Sequence, residues 1–131
     1  MTKTPASVDG QTAPGKPADL KLRTKEFALR IIRLHAALPR TAVGRVLGDQ
    51  LLRAGTSVGA QYREAMRSRS RAEFISKTQS ALQELEEACY WVELIVESEL
   101  IPERRLKSLH EEAAELLSML AASVRTARSR K

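Results

Sequence analysis

Two histidines, a single cysteine and a serine set between glycines are the residues of this 131-residue chain best suited to catalysis or metal binding. None stands in a pattern that such chemistry needs. Helical di-metal sites place a Glu three residues before a His on two helices, yet Ile32 precedes His35 and Lys107 precedes His110 at that spacing. The zinc-protease pattern fails as well, because Ala114 stands where a second His is required. Cys89 lies among apolar residues with no His nearby and reads as a buried thiol rather than a nucleophile. Ser57, in Gly55-Thr56-Ser57-Val58-Gly59, has the preceding glycine of a nucleophile elbow but no strand leading into it. Nor do the glycines form a phosphate-binding loop, which needs a strand before them and Lys-Ser or Lys-Thr after them. No catalytic residue, metal site or cofactor is expected.

The chemistry left is electrostatic. Net charge is +6, and it is unevenly placed: residues 20 to 71 hold twelve Lys or Arg against three acids, whereas residues 72 to 131 hold eight against eleven. A basic half attracts polyanions by neutralising phosphates and releasing counterions, so RNA or DNA is a candidate partner. The candidate phosphate contacts are Lys21, Arg23, Lys25, Arg30 and Arg33, then Arg67, Arg69 and Arg71. Phosphate attraction carries no base readout, and at 4% aromatic content base-stacking platforms are disfavoured. The same polarity equally suits the acidic half of a second copy. A further constellation joins Lys77, Glu84 and Trp91, seven residues apart, to Glu87, four before Trp91. Its plain reading is a solvated charged face. A Trp beside carboxylates also suits a subunit interface, with Arg53 or Arg63 supplying the opposite charge.

The elements that must position these residues are helices. Leu, Ala, Glu and Arg are abundant and β-branched and aromatic residues few, and the length favours one domain. Residues 1–18, rich in Thr, Pro, Gly and Lys, read as a flexible tail. Asp19 then caps a helix with Leu20, Phe27, Ile31, Leu34 and Leu38 on one stripe, ended by Pro39. Leu22, Leu29 and Ile32 lie off that stripe and predict a second contact face, for a partner subunit. Thr41 caps the second helix, expected to reach about Arg67. Within it Gly44, Gly48, Gly55 and Gly59 share one face, a seam assigned with Ser57 to subunit contact because glycine in a helix needs a reason such as close approach. A break near Gly55-Thr56-Ser57 is the rival reading. Ser70 and Glu73 form a capping box for the third helix, and Pro102 opens the fourth. The bundle is expected over 19–127, with residues 128–131 a frayed basic end. Short connections favour an all-α, up-down antiparallel four-helix bundle. No leader-like stretch follows Met1 and no run of about 18 apolar residues occurs, which with the lone cysteine predicts a cytoplasmic protein off the membrane.

Leu22-Arg23-Thr24-Lys25-x-Phe27-Ala28, Leu38-Pro39-Arg40 and the run Gln50-Leu-Leu-Arg-Ala-Gly-Thr-Ser-Val-Gly-Ala-Gln-Tyr-Arg-Glu-Ala65 together resemble the 23S rRNA intervening-sequence proteins. Ser70, Phe74, Lys77, Glu84, Glu87 and Trp91 add to the likeness, which covers about residues 20 to 125. Ala54 and Gln61 depart from the Ser and Asn usual in the family, which bears on local polar contacts and not on the fold. The resemblance implies a left-handed four-helix bundle assembled as a ring-like homopentamer, with a basic surface for nucleic acid, RNA foremost, and no catalysis. Members are named for genes lying in insertions within large-subunit ribosomal RNA, although many occur elsewhere in bacterial genomes. Similar bundles serve as accessory proteins to the reverse transcriptases of diversity-generating retroelements, so a structural or adaptor role with a protein partner is the alternative.

Overall fold

A computed structural model describes residues 17–130; the tail expected at the N-terminus lies almost wholly outside them. Four helices follow in order: α1 (Pro17–Ala37), α2 (Ala42–Met66), α3 (Arg71–Glu97) and α4 (Glu103–Ser129). Their starts are set by local chemistry. The Thr41 hydroxyl accepts from the Gly44 amide and the Ser70 hydroxyl from the Glu73 amide, each filling an orphan donor of the first turn. Glu73 completes its box one residue earlier than usual, accepting from the amide of Arg69 at 3.0 Å. Cross-helix bonds show that neighbours run antiparallel: Arg23 reaches Glu112 and Arg30 reaches Ser108, while Arg53 reaches Glu84 and Lys77 reaches Glu64. The architecture is therefore the expected up-down bundle.

Phe27, Ile31, Leu51, Tyr62, Leu85 and Leu116 are among the side chains that fill the core at no more than 1% exposure. Burial pushes the Tyr62 hydroxyl up to about 12, and that hydroxyl has no hydrogen-bond partner among the described residues. α2 runs unbroken through Gly55-Thr56-Ser57. The hydroxyls of Thr56 and Ser57 donate back to the carbonyls of Leu52 and Arg53, at 2.7 and 2.6 Å, and so stay within the helix instead of breaking it.

The glycine seam is real, but the helix that fills it belongs to the same chain. A methyl group at Gly59 would stand 3.1 Å from Thr24 Oγ1, and one at Gly55 2.7 Å from Ile31 Cγ1. At Gly48 it would meet Leu38 Cδ1 at 2.9 Å, and at Gly44 it would overlap the Pro39 carbonyl oxygen. Gly44, Gly48, Gly55 and Gly59 thus let α1 and its exit turn approach α2 and are not subunit contacts, a correction to the sequence reading. The reason is connectivity: the turn 38–41 is so short that α1 is the first partner α2 meets.

α3 ends in a Schellman motif, with the Leu100 amide donating to the Ile95 carbonyl at 3.1 Å and the Glu99 amide to Val96 at 3.0 Å. Its left-handed residue is Glu99, at φ 63°. Glycine holds that conformation without a Cβ penalty, so Glu99→Gly should raise stability by about 1 kcal/mol, read as a higher urea midpoint. α4 continues to Ser129, past the expected end of the bundle at 127.

Candidate nucleic-acid interface

The fold divides the basic residues into those already neutralised and those left free. Arg23 is neutralised. From α1 its Nη2 donates to Glu112 Oε1 at 2.7 Å and to Glu115, its Nε donates to Glu112 Oε2 at 3.1 Å, and Asp19 lies 3.8 Å away. The hydrogen bond to Glu112 holds its proton more tightly than usual. Arg23 is an α1–α4 clamp, which corrects its assignment as a phosphate contact. Arg53 is likewise spent, on Glu84 at 3.2 Å and on Glu87, both of α3. Trp91 Nε1 donates to the same Glu87 at 3.1 Å, and Arg53 and then Trp91 hold that carboxyl below its usual range.

The constellation of Arg53, Glu84, Glu87 and Trp91 therefore forms, but inside one protomer and not between subunits as expected. Antiparallel packing of α2 on α3 places the arginine opposite the two carboxylates before any second chain is involved. Ser57 is committed to its own helix, and Arg63 is half-buried without an ion pair among the described residues.

Lys21, Lys25, Arg30, Arg33, Arg67, Arg69 and Arg71 have no carboxylate partner among the described residues. They do not form one patch. Arg67 and Arg69 lie in the α2–α3 turn and Arg71 opens α3. Because α3 and α4 are antiparallel, that turn shares an end of the bundle with Arg125 and Arg128 on the last turns of α4 and with Arg130, its C-cap, all three exposed. The sequence places Arg128 and Arg130 in a frayed basic end and gives Arg125 no role; only their density hints at more, since topology is needed to bring them beside the turn. Arg30 and Arg33 lie nearer the opposite end, facing the first turns of α4, with Arg30 Nη2 on Ser108 Oγ at 3.0 Å.

Lys21 and Lys25 sit on the outward face of α1 with Leu22, Leu29 and Ile32, which are 54%, 42% and 46% exposed. An apolar groove of about 360 Å³ opens on another side of the molecule, between the end of α3 and the start of α4. Val92, Val96 and Leu106 floor it, and Glu93, Glu97, Glu103 and Glu111 line it beside Lys107 and His110. Among the described residues no group of three or more His, Cys, Asp or Glu could hold a metal ion. No helix among them is long and apolar enough to cross a membrane.

The 23S rRNA-intervening sequence protein model matches residues 19–122, the bundle from the first turn of α1 into the last turns of α4. The chain belongs to that family. A solved relative, a protein of unknown function from the S23 ribosomal protein family of Bacteroides thetaiotaomicron, is 37% identical and aligns with a TM-score of 0.77. That alignment covers 81% of this chain and 98% of the relative. No curated protein matches the chain. Within this member of the intervening-sequence family, the family match takes in the turn Arg67, Arg69 and Arg71 but stops short of Arg125, Arg128 and Arg130.

Proposed function

We propose that this bundle binds RNA through phosphate contacts at the end formed by Arg67, Arg69 and Arg71, without catalysis, and that it works as an assembly of identical subunits. The observation carrying this reading is that one end of the fold concentrates these three arginines with Arg125, Arg128 and Arg130, none of them ion-paired among the described residues. Like charges held together repel, and a polyanion relieves the repulsion while releasing its own counterions. The family's name favours RNA over DNA as that polyanion and the cytoplasm as the place.

Assembly is supported by the faces left over. The outward stripe of α1 is apolar and basic, and the α3–α4 groove is apolar and acidic, so one copy's stripe complements another's groove. Two different surfaces in contact make a head-to-tail interface, which closes into a ring where the rotation permits. The ring-like homopentamer that the family resemblance implies is a ring of this kind. The same exposed stripe favours the second reading, an adaptor that docks a protein partner such as a reverse transcriptase.

Replacing Arg67, Arg69 and Arg71 together by Gln should abolish gel retention of structured RNA at physiological salt. For single-stranded segments the slope of log affinity against log salt should fall by about 2, at roughly 0.7 per phosphate lost. Circular-dichroism melting should stay as in the unmodified chain. Retention equal to that of the unmodified chain would remove the Arg67 end as the RNA site, and no retention by the unmodified chain would sink the RNA reading. Light scattering that finds a single folded protomer at micromolar concentration would assign the α1 stripe to another protein.

A further inference from the structure

Arg30 and Arg33 on α1 and Arg105 on α4 rim a pocket of about 220 Å³ whose floor includes Leu34, Ala37 and Leu109. We propose that this pocket seats one unpaired nucleotide of an RNA strand, its phosphate against the three guanidinium groups and its base on the apolar floor. The proposal rests on the reading that the chain binds RNA, but on residues distant from the Arg67 turn.

Four observations lead to it. Arg30, Arg33 and Arg105 form no ion pair among the described residues, and the one hydrogen bond to them, from Arg30 to neutral Ser108, fixes a guanidinium at the rim without cancelling its charge. Of the nearby carboxylates, Glu112 and Glu115 are held by Arg23, Glu103 lines the groove on the α3 side of α4, and Glu26, one turn before Arg30 on α1, forms no ion pair with the rim among the described residues. Arg104 and Arg105 stand in the first turn of α4, where the helix dipole disfavours cations. Pro102 caps that turn with no side-chain bond and accepts from the Arg105 amide at 3.0 Å, and Glu103 is the one carboxylate in the turn, so the positive dipole end adds to the field of the two arginines. An anion at the pocket offsets that cost.

Size and lining choose among anions. The volume is below the roughly 300–1,000 Å³ of drug-sized ligand sites and suits a single nucleotide unit. A bare phosphate has no use for the leucine and alanine floor, whereas a splayed base covers those apolar side chains and stacks on guanidinium planes at the rim. A duplex, whose bases are stacked and paired, cannot offer one.

The test uses the full chain, a short fluorescein-labelled single-stranded oligoribonucleotide and its duplex, read by anisotropy. Ala37→Leu fills the floor without changing charge or adding an aromatic ring, and Arg105→Gln removes part of the rim. Each should weaken single-strand binding about tenfold, the scale of losing one base's apolar contact or one charged hydrogen bond. Ala37→Leu should leave duplex binding unchanged, and Arg104→Gln, off the pocket, should have a smaller effect on the single strand than Arg105→Gln. Adenosine monophosphate should compete for the unmodified chain more strongly than inorganic phosphate does, and that advantage should vanish in Ala37→Leu. Both positions are exposed, and Arg105→Gln carries the test should Ala37→Leu fail to fold. Single-strand binding by both variants equal to that of the unmodified chain overturns the pocket and leaves the Arg67 end standing. Absence of RNA binding by the unmodified chain overturns both.

Discussion

Gly55→Ala will destabilise the bundle by about 2 kcal/mol, even though alanine is the better helix former by about 1 kcal/mol. The added methyl would lie 2.7 Å from Ile31 Cγ1, 2.9 Å from Cγ2 and 3.2 Å from Cβ. Isoleucine is β-branched and held to one rotamer in a helix, so no side-chain swing clears the contact and α1 must move away from α2. Chemical denaturation measures the loss directly. The seam lies within one chain, so the shift should not depend on protein concentration, and the protein that remains folded should keep its hydrodynamic size. A subunit seam would give the opposite: a folded protomer with a concentration-dependent loss of assembly. Ile31→Ala should also cost less in the Gly55→Ala background than alone, because the new methyl occupies part of the cavity it leaves.

Arg23→Ala should cost about 2 kcal/mol, in the range for hydrogen bonds to charged groups. The clamp is only 20% exposed and binds Glu112, itself 23% exposed, so removing the guanidinium strands a half-buried carboxylate at the α1–α4 contact. Arg53 presents a contrast. It is 49% exposed, so solvent screens its pairs with Glu84 and Glu87 and truncating it should cost much less than truncating Arg23. Thermal melts of the two variants side by side check the ranking; equal losses would refute the clamp. A charge reversal that included Arg23 would therefore lower RNA retention by loosening the fold, so tests of phosphate contact belong at Arg67, Arg69, Arg71 and Arg105.

Much of the architecture was legible from local chemistry. Thr41 and Ser70 mark helix starts because a hydroxyl one residue before a helix has an orphan amide to serve, whatever surrounds it. The stripe Leu20, Phe27, Ile31 and Leu34 reports burial for a similar reason: period 3.6 places those residues on one side of any helix they form. The same period put Glu84, Glu87 and Trp91 together and aligned the four glycines. Leu22, Leu29 and Ile32 were legible as a second face, and they stand exposed on the fold.

What periodicity could not supply was the identity of the partner across each face. Glycines announce that something comes close to α2; that it is α1 of the same chain follows from a turn of four residues and antiparallel packing. Arg53 was matched to the right carboxylates but on the wrong molecule, and Arg23 was counted as free because Glu112 lies 89 residues away in sequence. Arg105 becomes a site residue only because the start of α4 packs beside Arg30 and Arg33. Sequence alone thus determined which residues are helical and which faces are apolar or charged, since both depend on neighbours within a turn or two. Which cations are neutralised and which are left to meet a polyanion was decided only by tertiary structure, because Coulomb and packing energies depend on distance in space and not along the chain.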